Sequence, residues 1–472
     1  MFSRRTPEVC RSSPVDRWVP HLERAVGADR VIVDGDRLLS FAGDESAVAP
    51  VLPGAVLRVR DEGEVAAALR VAHEHRVPVT ARGAGTGKAG GCVPSPSGLV
   101  IDLCGLAKVL DVDRDSLTAE VQPGVITGDF RDQVADLGLF YPPDPNSLVT
   151  CTLGGNVATN AGGPCSMKYG VTRDYVLGLD LILANGEQRR VGRRTHKGVV
   201  GYDLAALVVG SEGTLGIVTR MTLRLRPLPR EVRTALGFFP DVGAAARAVA
   251  ELAGIGLDLR VAELIDGYTL DAGRVRGGLR VPDGAGAALL LELDGELADS
   301  GDIDQRLEIV GEALLRHRAL EVMVAASDRE RAAVWTLRRD LSVAVKEGYS
   351  HWISEDVGVP RAKVPELIEA VGRIRRDAGL TIATYGHAGE GNLHVNILWD
   401  DPADAARAEA ASAAVFRVAL DLGGTVSGEH GIGSAKVSYV SWEQTPEVIA
   451  LQREIKRLFD PLGILNPGKV LP

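Results

Sequence analysis

The amino-acid sequence predicts an α+β fold that is divided into more than one domain. The chain has 472 residues, whereas a single domain usually has roughly 150. Short candidate strands alternate with candidate helices, and the pattern changes after the proline-containing segment 223–230. The apolar fraction of 45% is ordinary for a globular protein, and the net charge of −10 argues against non-specific binding to nucleic acids, whose phosphates attract basic surfaces.

The first half of the chain contains short strands and one clear helix. Residues 63–76 predict an amphipathic helix, and Pro78 follows it. Runs rich in β-branched residues and bounded by Gly, Pro or Asn-Gly predict strands at 79–80, 99–103, 119–121, 178–184 and 216–225. Two prolines in the segment 223–230 then mark a domain boundary.

The second half has longer helices and a buried strand. Ser327 and Glu330 form a capping-box pattern, which predicts a helix from this point to about Glu347. Further helices are predicted at 243–253, 403–421 and 445–459, and a buried strand at 288–294. We therefore expect four parts, at 1–45 (an N-terminal helical segment), 46–228, 229–440 and 441–472.

The sequence shows neither a signal peptide nor an uninterrupted apolar run of transmembrane length. Its five Cys are odd in number and form no CxxC motif, so neither a disulfide framework nor an iron–sulfur site is indicated. We therefore expect a cytoplasmic protein without a transmembrane segment, and attachment to a membrane through a partner stays open.

Glycine is enriched, with 55 residues or about 12% of the chain against a usual ~7%. It concentrates in three clusters, at 83–91, 152–163 and 210–217. The first cluster follows a predicted strand but matches neither the dinucleotide-binding fingerprint nor the P-loop, because Lys88 and Ala89 occupy required positions. What remains is a set of backbone N–H groups without side-chain obstruction, which suits an anion. Three such clusters in the first half favour a large nucleotide cofactor over three unrelated turns.

Three of the nine His lie in two glycine-flanked segments of the second half. HAGEGNLHVN starts at His387, and GEHGIG starts at Gly428. Strand periodicity places His394 and Asn396 on one face, and reversal at the glycine turn brings His387 beside His394. Two imidazoles and a carboxylate suit a borderline divalent ion such as Zn²⁺ or Mn²⁺. Hydrogen-bonded structural histidines are the alternative interpretation.

Two arginines lie on the helix that the capping box opens. Arg338 and Arg339 follow Trp335 on this helix, where a guanidinium can bind a substrate carboxylate through two hydrogen bonds. We expect Arg339 on the solvent side.

Five segments of the first half together resemble the FAD-binding domain of flavoproteins of the vanillyl-alcohol-oxidase type. They are, in order, PVTARGAGTGKAGG, YPPDPNS, TLGGNVATNAGG, KYGVTRDYVLGL and GYDLAALVVGSEGTLGIVT. Within this FAD-linked oxidase family, the nearest branch contains the glycolate oxidase FAD subunit, D-lactate dehydrogenase and D-2-hydroxyglutarate dehydrogenase. The resemblance implies a two-subdomain FAD-binding domain of the PCMH type at 46–228, an α+β substrate (cap) domain with an antiparallel sheet at 229–440, and a C-terminal segment at 441–472 that returns to the FAD domain.

The resemblance also implies where FAD binds. It places the pyrophosphate at 83–87 and the isoalloxazine near 152–163, with 212–217 also lining the cofactor. The cofactor-binding residues that follow from it are Arg82, Gly83, Ala84, Gly85, Thr86, Gly87, Pro143, Asp144, Thr152, Gly154, Gly155, Asn156, Thr159, Asn160, Gly162, Gly210, Glu212, Gly213, Gly216, Ile217 and Asn466. Members of the family that attach FAD covalently in the first loop use a His, whereas this loop has Thr86, so we expect non-covalent FAD.

The same resemblance assigns the chemistry of the second half. It gives a divalent metal, Zn²⁺ or Mn²⁺, three ligands, which are His387, His394 and Glu429. It places Asn396 beside the substrate, makes His430 the catalytic base and makes Arg338 the carboxylate-binding residue. The implied reaction is the oxidation of a D-2-hydroxy acid to the 2-oxo acid, by hydride transfer to the flavin N5.

A departure from the family pattern bears on the substrate. The D-2-hydroxyglutarate enzymes carry a Lys just before the segment that aligns with 356–360, where this chain has Ser354 and Glu355. This difference favours glycolate or D-lactate, and D-2-hydroxyglutarate is the alternative substrate.

The sequence offers no iron–sulfur motif, so we expect a separate electron acceptor, which is a quinone, an electron-transfer flavoprotein, a cytochrome or an iron–sulfur subunit. A homodimer stays open. A flavoprotein subunit that only relays electrons is the alternative of another class, and the intact set of His and Glu argues against it. Alkylglycerone-phosphate synthase belongs to the same superfamily but carries consecutive His, and no two His are adjacent here.

Overall fold

The computed structural model describes residues 14–276, 280–295 and 300–472. The first thirteen residues of the predicted N-terminal helical segment lie outside this range. Helices and strands alternate through the described residues, which confirms the α+β prediction. Among these residues, none of the helices combines the length and the apolar character that a bilayer span requires.

The first half contains the elements up to Pro227. Its helices are α1 (Val19–Val26), α2 (Gly35–Leu38), α3 (Glu62–His75), α4 (Thr127–Ala135), α5 (Leu153–Thr159), α6 (Ser166–Tyr169) and α7 (Leu204–Val208). Its strands are β1 (Val31–Ile32), β2 (Ala55–Arg58), β3 (Val79–Arg82), β4 (Leu99–Asp102), β5 (Val109–Asp113), β6 (Thr118–Val121), β7 (Leu139–Phe140), β8 (Val176–Ile182), β9 (Gln188–Gly192), β10 (Ile217–Arg224) and β11 (Arg226–Pro227).

Two sheets form the frame of this half. In the four-stranded sheet, with the order β1-β2-β4-β3, the last three strands are parallel and β1 is antiparallel. All residues of β4 are buried, as expected for a central strand that is covered on both faces. The five-stranded sheet, with the order β5-β6-β10-β8-β9, is antiparallel. Strands β7 and β11 form a separate antiparallel pair.

The second half is built on a seven-stranded antiparallel sheet, which confirms that prediction. Its strands are β12 (Glu231–Phe239), β13 (Val261–Asp266), β14 (Ala287–Gly295), β15 (Glu321–Val324), β16 (His351–Gly358), β17 (Thr381–His387) and β18 (Asn392–Trp399), in the order β15-β12-β14-β13-β17-β18-β16. Its helices are α8 (Val242–Gly254), α9 (Gly267–Arg276), α10 (Ser300–Arg316), α11 (Asp328–Ala344), α12 (Val364–Ala378) and α13 (Ala405–Asp421).

Side-chain alternation gives this sheet two different faces. Leu393, Val395 and Ile397 of β18 belong to the apolar core beneath α8, α10, α12 and α13. His394 and Asn396 of the same strand therefore lie on the opposite face, against which α11 packs. The N-cap Ser327 begins α11, and its Oγ accepts from the N–H of Glu330 at 3.3 Å.

The end of the chain returns to the first half. After α14 (Val440–Glu443) and α15 (Pro446–Phe459), the backbone runs beside β3. Val79 donates to Ile464 at 2.8 Å and accepts from Asn466 at 2.7 Å. The buried carboxylate of Asp460 fixes this turn, because it accepts from the N–H groups of Ile464 (3.1 Å) and Leu465 (2.8 Å). The four-part division of the chain stays a prediction.

The Asp460 carboxylate gives a test of this return. Asp460→Ala leaves two buried N–H groups without their charged acceptor, so the free energy of unfolding should fall by roughly 2–4 kcal/mol. Thermal and urea denaturation followed by circular dichroism measure this loss. The control is Asp421→Ala, because Asp421 is exposed at the end of α13 and should change stability by less than about 0.5 kcal/mol. Equal effects of the two changes would contradict the assignment.

Candidate functional site

A cavity of about 1010 Å³ is lined by all three glycine clusters. Pockets of this size and with a glycine-rich lining suit a dinucleotide-sized ligand. The predicted cofactor residues that line it are Arg82, Gly83, Ala84, Gly85, Thr86, Gly87, Thr152, Gly154, Gly155, Asn156, Thr159, Gly162, Glu212, Gly213, Gly216 and Ile217. Glu429 and His430 line the same cavity, which puts the predicted cluster of metal ligands and base at its edge.

The first two glycine clusters contact each other, and this contact explains why a glycine is needed at position 83. Thr152 is the N-cap of α5, and its Oγ1 accepts from the N–H of Gly155 at 3.2 Å. A Cβ at position 83 would overlap that same Oγ1, so Gly83 is required for the contact. The bare backbone on both sides fits a flat, anionic cofactor such as FAD.

Other predicted cofactor residues lie behind the lining and hold it in place. Asp144 accepts from the N–H of Cys165 at 3.0 Å, and Asn160 accepts from the N–H of Arg173 at 2.9 Å. The Asn466 amide donates to the backbone oxygens of Gly91 (3.0 Å) and Glu212 (2.8 Å). Pro143, Asp144, Asn160, Gly210 and Asn466 do not belong to the cavity lining, and cofactor contact through them stays a prediction.

The sequence analysis missed one wall of this cavity. Arg339, Ser342, Val343, Lys346 and Trp352 of the second half all line it. Arg339 was expected on the solvent side; its side chain is exposed, yet it lies at the cavity with its guanidinium 5.7 Å from the ring centre of Trp335. No local pattern marks these residues, because the wall forms only when α11, the turn after it and the start of β16 meet the glycine loops.

The predicted histidines meet on the polar face of the seven-stranded sheet. Register places Tyr385 of β17 opposite His394 of β18, and the ring centres of His387 and His394 lie 5.3 Å apart. Nε2 of His387 lies 3.2 Å from Oε1 of Glu429, and Nε2 of His394 lies 3.5 Å from the same oxygen. These three side chains can offer ligand atoms to one metal ion. Two imidazole nitrogens and a carboxylate are a donor set that Zn²⁺ and Mn²⁺ accept.

A carboxylate that the sequence analysis missed lies behind this group. Glu263 of β13 is fully buried, and its Oε1 is hydrogen-bonded to Nδ1 of His387. This contact turns Nε2 of His387 towards Glu429, as carboxylates behind metal-binding imidazoles do. Burial would lower the pKa of His387, but the charges of Glu263 and Glu429 raise that pKa well above its ordinary value. The position therefore favours a positive charge, which a proton or a metal ion can supply.

Glu263 also holds the predicted carboxylate-binding residue. Its Oε2 accepts from Nε of Arg338 at 2.7 Å, and the Arg338 guanidinium lies 4.9 Å from the ring centre of Tyr385. Burial would raise the pKa of Glu263, but the charges of Arg338 and His387 outweigh it and lower that pKa to about 2. Glu263 uses one edge of the guanidinium, and an Arg has five N–H donors, so donors remain for a substrate carboxylate.

The predicted base and the second imidazole ligand stack on each other. The rings of His394 and His430 are nearly parallel, at 12°, with centres 5.1 Å apart. Burial lowers the pKa of His430 to about 4, and burial together with His430 lowers the pKa of His394 to about 3. Both rings are therefore neutral near pH 7, as a ligand and a general base must be. Nδ2 of the fully buried Asn396 has no hydrogen-bond partner on this face.

The sequence analysis did not identify two buried carboxylates, those of Glu263 and Asp356. Asp356 of β16 lies opposite His394 in the sheet and is fully buried. The available signal was an acidic residue inside an otherwise apolar strand, as in VAELID at 261–266. That signal shows that a partner must exist, but it does not name the partner.

Comparisons with known proteins agree with this arrangement. Residues 53–192 match the family model described as an FAD binding domain, and residues 228–470 match the model for FAD linked oxidases, C-terminal domain. The chain is 38% identical to glycolate oxidase subunit GlcD of Bacillus subtilis over 92% of each chain. It is 34% identical to glycolate oxidase subunit GlcD of Escherichia coli K12, covering 99% of this chain and 92% of that one. It is 32% identical to a D-lactate dehydrogenase of Anaerostipes hadrus, covering 95% and 96%.

Solved structures show the same fold at lower identity. p-Cresol methylhydroxylase superposes with a TM-score of 0.81 and 19% identity over 98% of each chain. The 4-ethylphenol oxidase of Gulosibacter chungangensis superposes with a TM-score of 0.79 and 20% identity over 99% of each chain. The sequence relatives, the two family models and the PCMH-type fold confirm the resemblance: the chain belongs to the FAD-linked oxidase family and is an FAD-dependent oxidoreductase.

Proposed function

We propose that this chain oxidises a small D-2-hydroxy acid, with glycolate or D-lactate favoured, to the 2-oxo acid. The observation that carries the proposal is the convergence of His387 and His394 on Glu429 at the edge of the cavity that the glycine clusters line. The relatives named glycolate oxidase subunit and D-lactate dehydrogenase support the same substrate class.

The proposal includes two bound groups. FAD, held without a covalent bond in the glycine-lined cavity, supplies a two-electron acceptor. A divalent ion, Zn²⁺ or Mn²⁺, on His387, His394 and Glu429 would lower the pKa of a hydroxyl group beside it. The metal fits because the donors converge and because the site already stabilises a positive charge at His387.

Each remaining residue has a role in this scheme. Arg338, fixed by Glu263, binds the substrate carboxylate through its free donors. Asn396 donates from its unpaired Nδ2 to the substrate. His430 takes the proton of the substrate hydroxyl, since its neutral ring lies between the cavity and His394.

The residues at 354–355 also support a monocarboxylate rather than D-2-hydroxyglutarate, which is the second candidate. The Ser354 hydroxyl donates to Oδ1 of Asn396. Ser354 lies just before the segment 356–360, where the D-2-hydroxyglutarate enzymes carry a Lys. Ser354 therefore orients the Asn396 amide and offers no charge for a distal carboxylate.

The electrons leave through a separate acceptor in this proposal, which is a quinone, an electron-transfer flavoprotein, a cytochrome or an iron–sulfur subunit. Two of the relatives are themselves named as subunits. A cytoplasmic location is proposed from the odd number of Cys and the lack of a CxxC motif, and attachment to a membrane through a partner stays open.

Loss of the base tests the reaction. His430→Ala should keep flavin bound but slow anaerobic bleaching of the flavin by the hydroxy acid about 10²–10⁴-fold, because the hydroxyl proton loses its acceptor. Stopped-flow absorbance near the flavin band measures the rate, and acid precipitation, which should release all flavin, measures its content. His351→Ala is the control, since His351 stacks on Trp399 at the far end of β16. Near-normal bleaching in His430→Ala would refute the base assignment.

The carboxylate behind His387 tests the metal. Glu263→Gln should weaken retention of Zn²⁺ or Mn²⁺ about 10–100-fold, because His387 loses the partner that orients it. Metal analysis after graded chelator treatment measures retention. Glu292→Gln is the matched control: Glu292 is equally buried on β14 and accepts from Trp335 and Thr234, both at 2.7 Å. Equal metal retention by both variants and the parent would remove the support for this site.

The first glycine loop tests the flavin position. Gly85 has φ of 77°, and a Cβ there would overlap the Arg82 guanidinium, so Gly85→Ala should weaken FAD binding about tenfold or more. Gly138→Ala is the control, because Gly138 has a similar φ of 74° with open space around it outside the cavity. Flavin fluorescence during dialysis gives the affinity. Unchanged affinity in Gly85→Ala would argue against the predicted pyrophosphate site.

A further inference from the structure

The segment 427–433 carries Glu429 and His430 but has no helix or strand of its own. It lies between α13 and the C-terminal helices, where regular hydrogen bonding does not fix its backbone. A metal ligand and a base need positions that are accurate to a fraction of an ångström. Other groups must therefore hold this segment, which we call the site loop.

One holding group comes from the second half. Oδ2 of Asp356 accepts from the N–H of Glu429 and from the N–H of His430, each at 2.8 Å, and from the Ser427 hydroxyl at 3.2 Å. Oδ1 of Asp356 accepts from the Asn392 amide at 2.5 Å. Asp356 is fully buried in β16, so the anchor is rigid and its hydrogen bonds are charge-assisted.

The other holding group comes from the first half. Oε1 of Glu212 accepts from the N–H of Ile432 at 2.7 Å, and Oε2 accepts from the N–H of Gly433 at 2.9 Å. Glu212 belongs to the third glycine cluster, lines the cofactor cavity and is 7% exposed. Its backbone oxygen is in turn held by Asn466, at 2.8 Å.

The glycines of GEHGIG match these two carboxylates. A Cβ at Gly428 would overlap the Asn392 amide and lie 2.9 Å from Oδ1 of Asp356. A Cβ at Gly431 would lie 2.8 Å from Oε1 of Glu212. Each glycine therefore keeps open the space through which one carboxylate reaches the backbone.

We propose that Asp356 and Glu212 are positioning residues, which hold the site loop from opposite halves of the chain. Glu429 and His430 then take their places only when both carboxylates bind the loop. Glu212 further links the wall of the flavin cavity to the backbone that follows the base. The proposal rests on the proposed function for its catalytic meaning, while its structural content is independent of that function.

The test compares Asp356→Ala, Glu212→Ala and the conservative Glu212→Gln in full-length protein. Asp356→Ala should speed hydrogen exchange of the 429 and 430 amides about tenfold or more, and Glu212→Ala should do the same for 432 and 433. Both should lower kcat per bound flavin about tenfold or more while KM changes less than about threefold, because the loss concerns orientation of the reacting groups rather than cofactor content. Glu212→Gln should lie between the parent and Glu212→Ala in both readouts, because its amide oxygen still accepts from the N–H of Ile432 while its NH₂ group faces the N–H of Gly433.

Asp266→Ala is the matched control for loss of a buried carboxylate. Asp266 lies in the same sheet and also accepts from two backbone N–H groups, those of Thr269 (2.8 Å) and Thr384 (2.7 Å). It should lower stability to a similar extent and leave exchange at 429–433 unchanged. If Asp356→Ala does not fold, Asp356→Asn replaces it. The NH₂ group of Asn cannot accept a hydrogen bond, so it faces either the Asn392 amide or the N–H groups of Glu429 and His430 as a mismatched donor.

The outcomes separate the two proposals. Unchanged exchange of the 429, 430, 432 and 433 amides in folded variants overturns the positioning roles, as does faster exchange with unchanged kcat. If the exchange rates change as expected in the variants but the parent protein does not oxidise hydroxy acids, the positioning of the loop is supported and the proposed function is overturned.

Discussion

The burial of the Glu263 carboxylate is the constraint on which the site depends. A fully buried charge is costly unless cations and hydrogen bonds surround it, and Glu263 meets this requirement with Arg338 on one oxygen and His387 on the other. One carboxylate thereby fixes the group proposed to bind the substrate and the first proposed metal ligand. The geometry between them is set by strand β13 rather than by flexible loops.

The two halves of the chain contribute different kinds of chemistry to one cavity. The first half supplies backbone N–H groups, because its glycine clusters leave these groups unobstructed by side chains for FAD. The second half offers titratable side chains from one face of a rigid sheet, where period-two alternation separates them from the apolar core. Buried carboxylates then join the halves, since Glu212 reaches from the flavin side to the loop that carries His430.

Local patterns were sufficient for part of this arrangement. Alternation placed His394 and Asn396 on one face, and the glycine turn brought His387 near them, with ring centres at 5.3 Å in the structure. The glycine clusters located the cavity wall, and the α+β class is confirmed, whereas the antiparallel sheet of the second half was implied by the family resemblance. These features arise within about ten residues of sequence, where strand and turn rules apply.

The rest depends on contacts between distant segments. Glu263 is 124 residues from His387, and Glu212 is 220 residues from Ile432, so no spacing rule connects them. Arg339 shows the same limit, because its helix was predicted but not the wall that the helix would face. Burial of a charge can be suspected from an acid in an apolar strand, yet its partner is set by tertiary packing.

The central claim is oxidation of a small D-2-hydroxy acid at this combined site. Anaerobic titration of the purified protein with glycolate, D-lactate, L-lactate and D-2-hydroxyglutarate, followed by flavin absorbance, tests it most directly. Glycolate or D-lactate should bleach the flavin, with D-2-hydroxyglutarate much slower and L-lactate inactive. Preference for the L-isomer, or no bleaching by any of the four acids, would contradict the account.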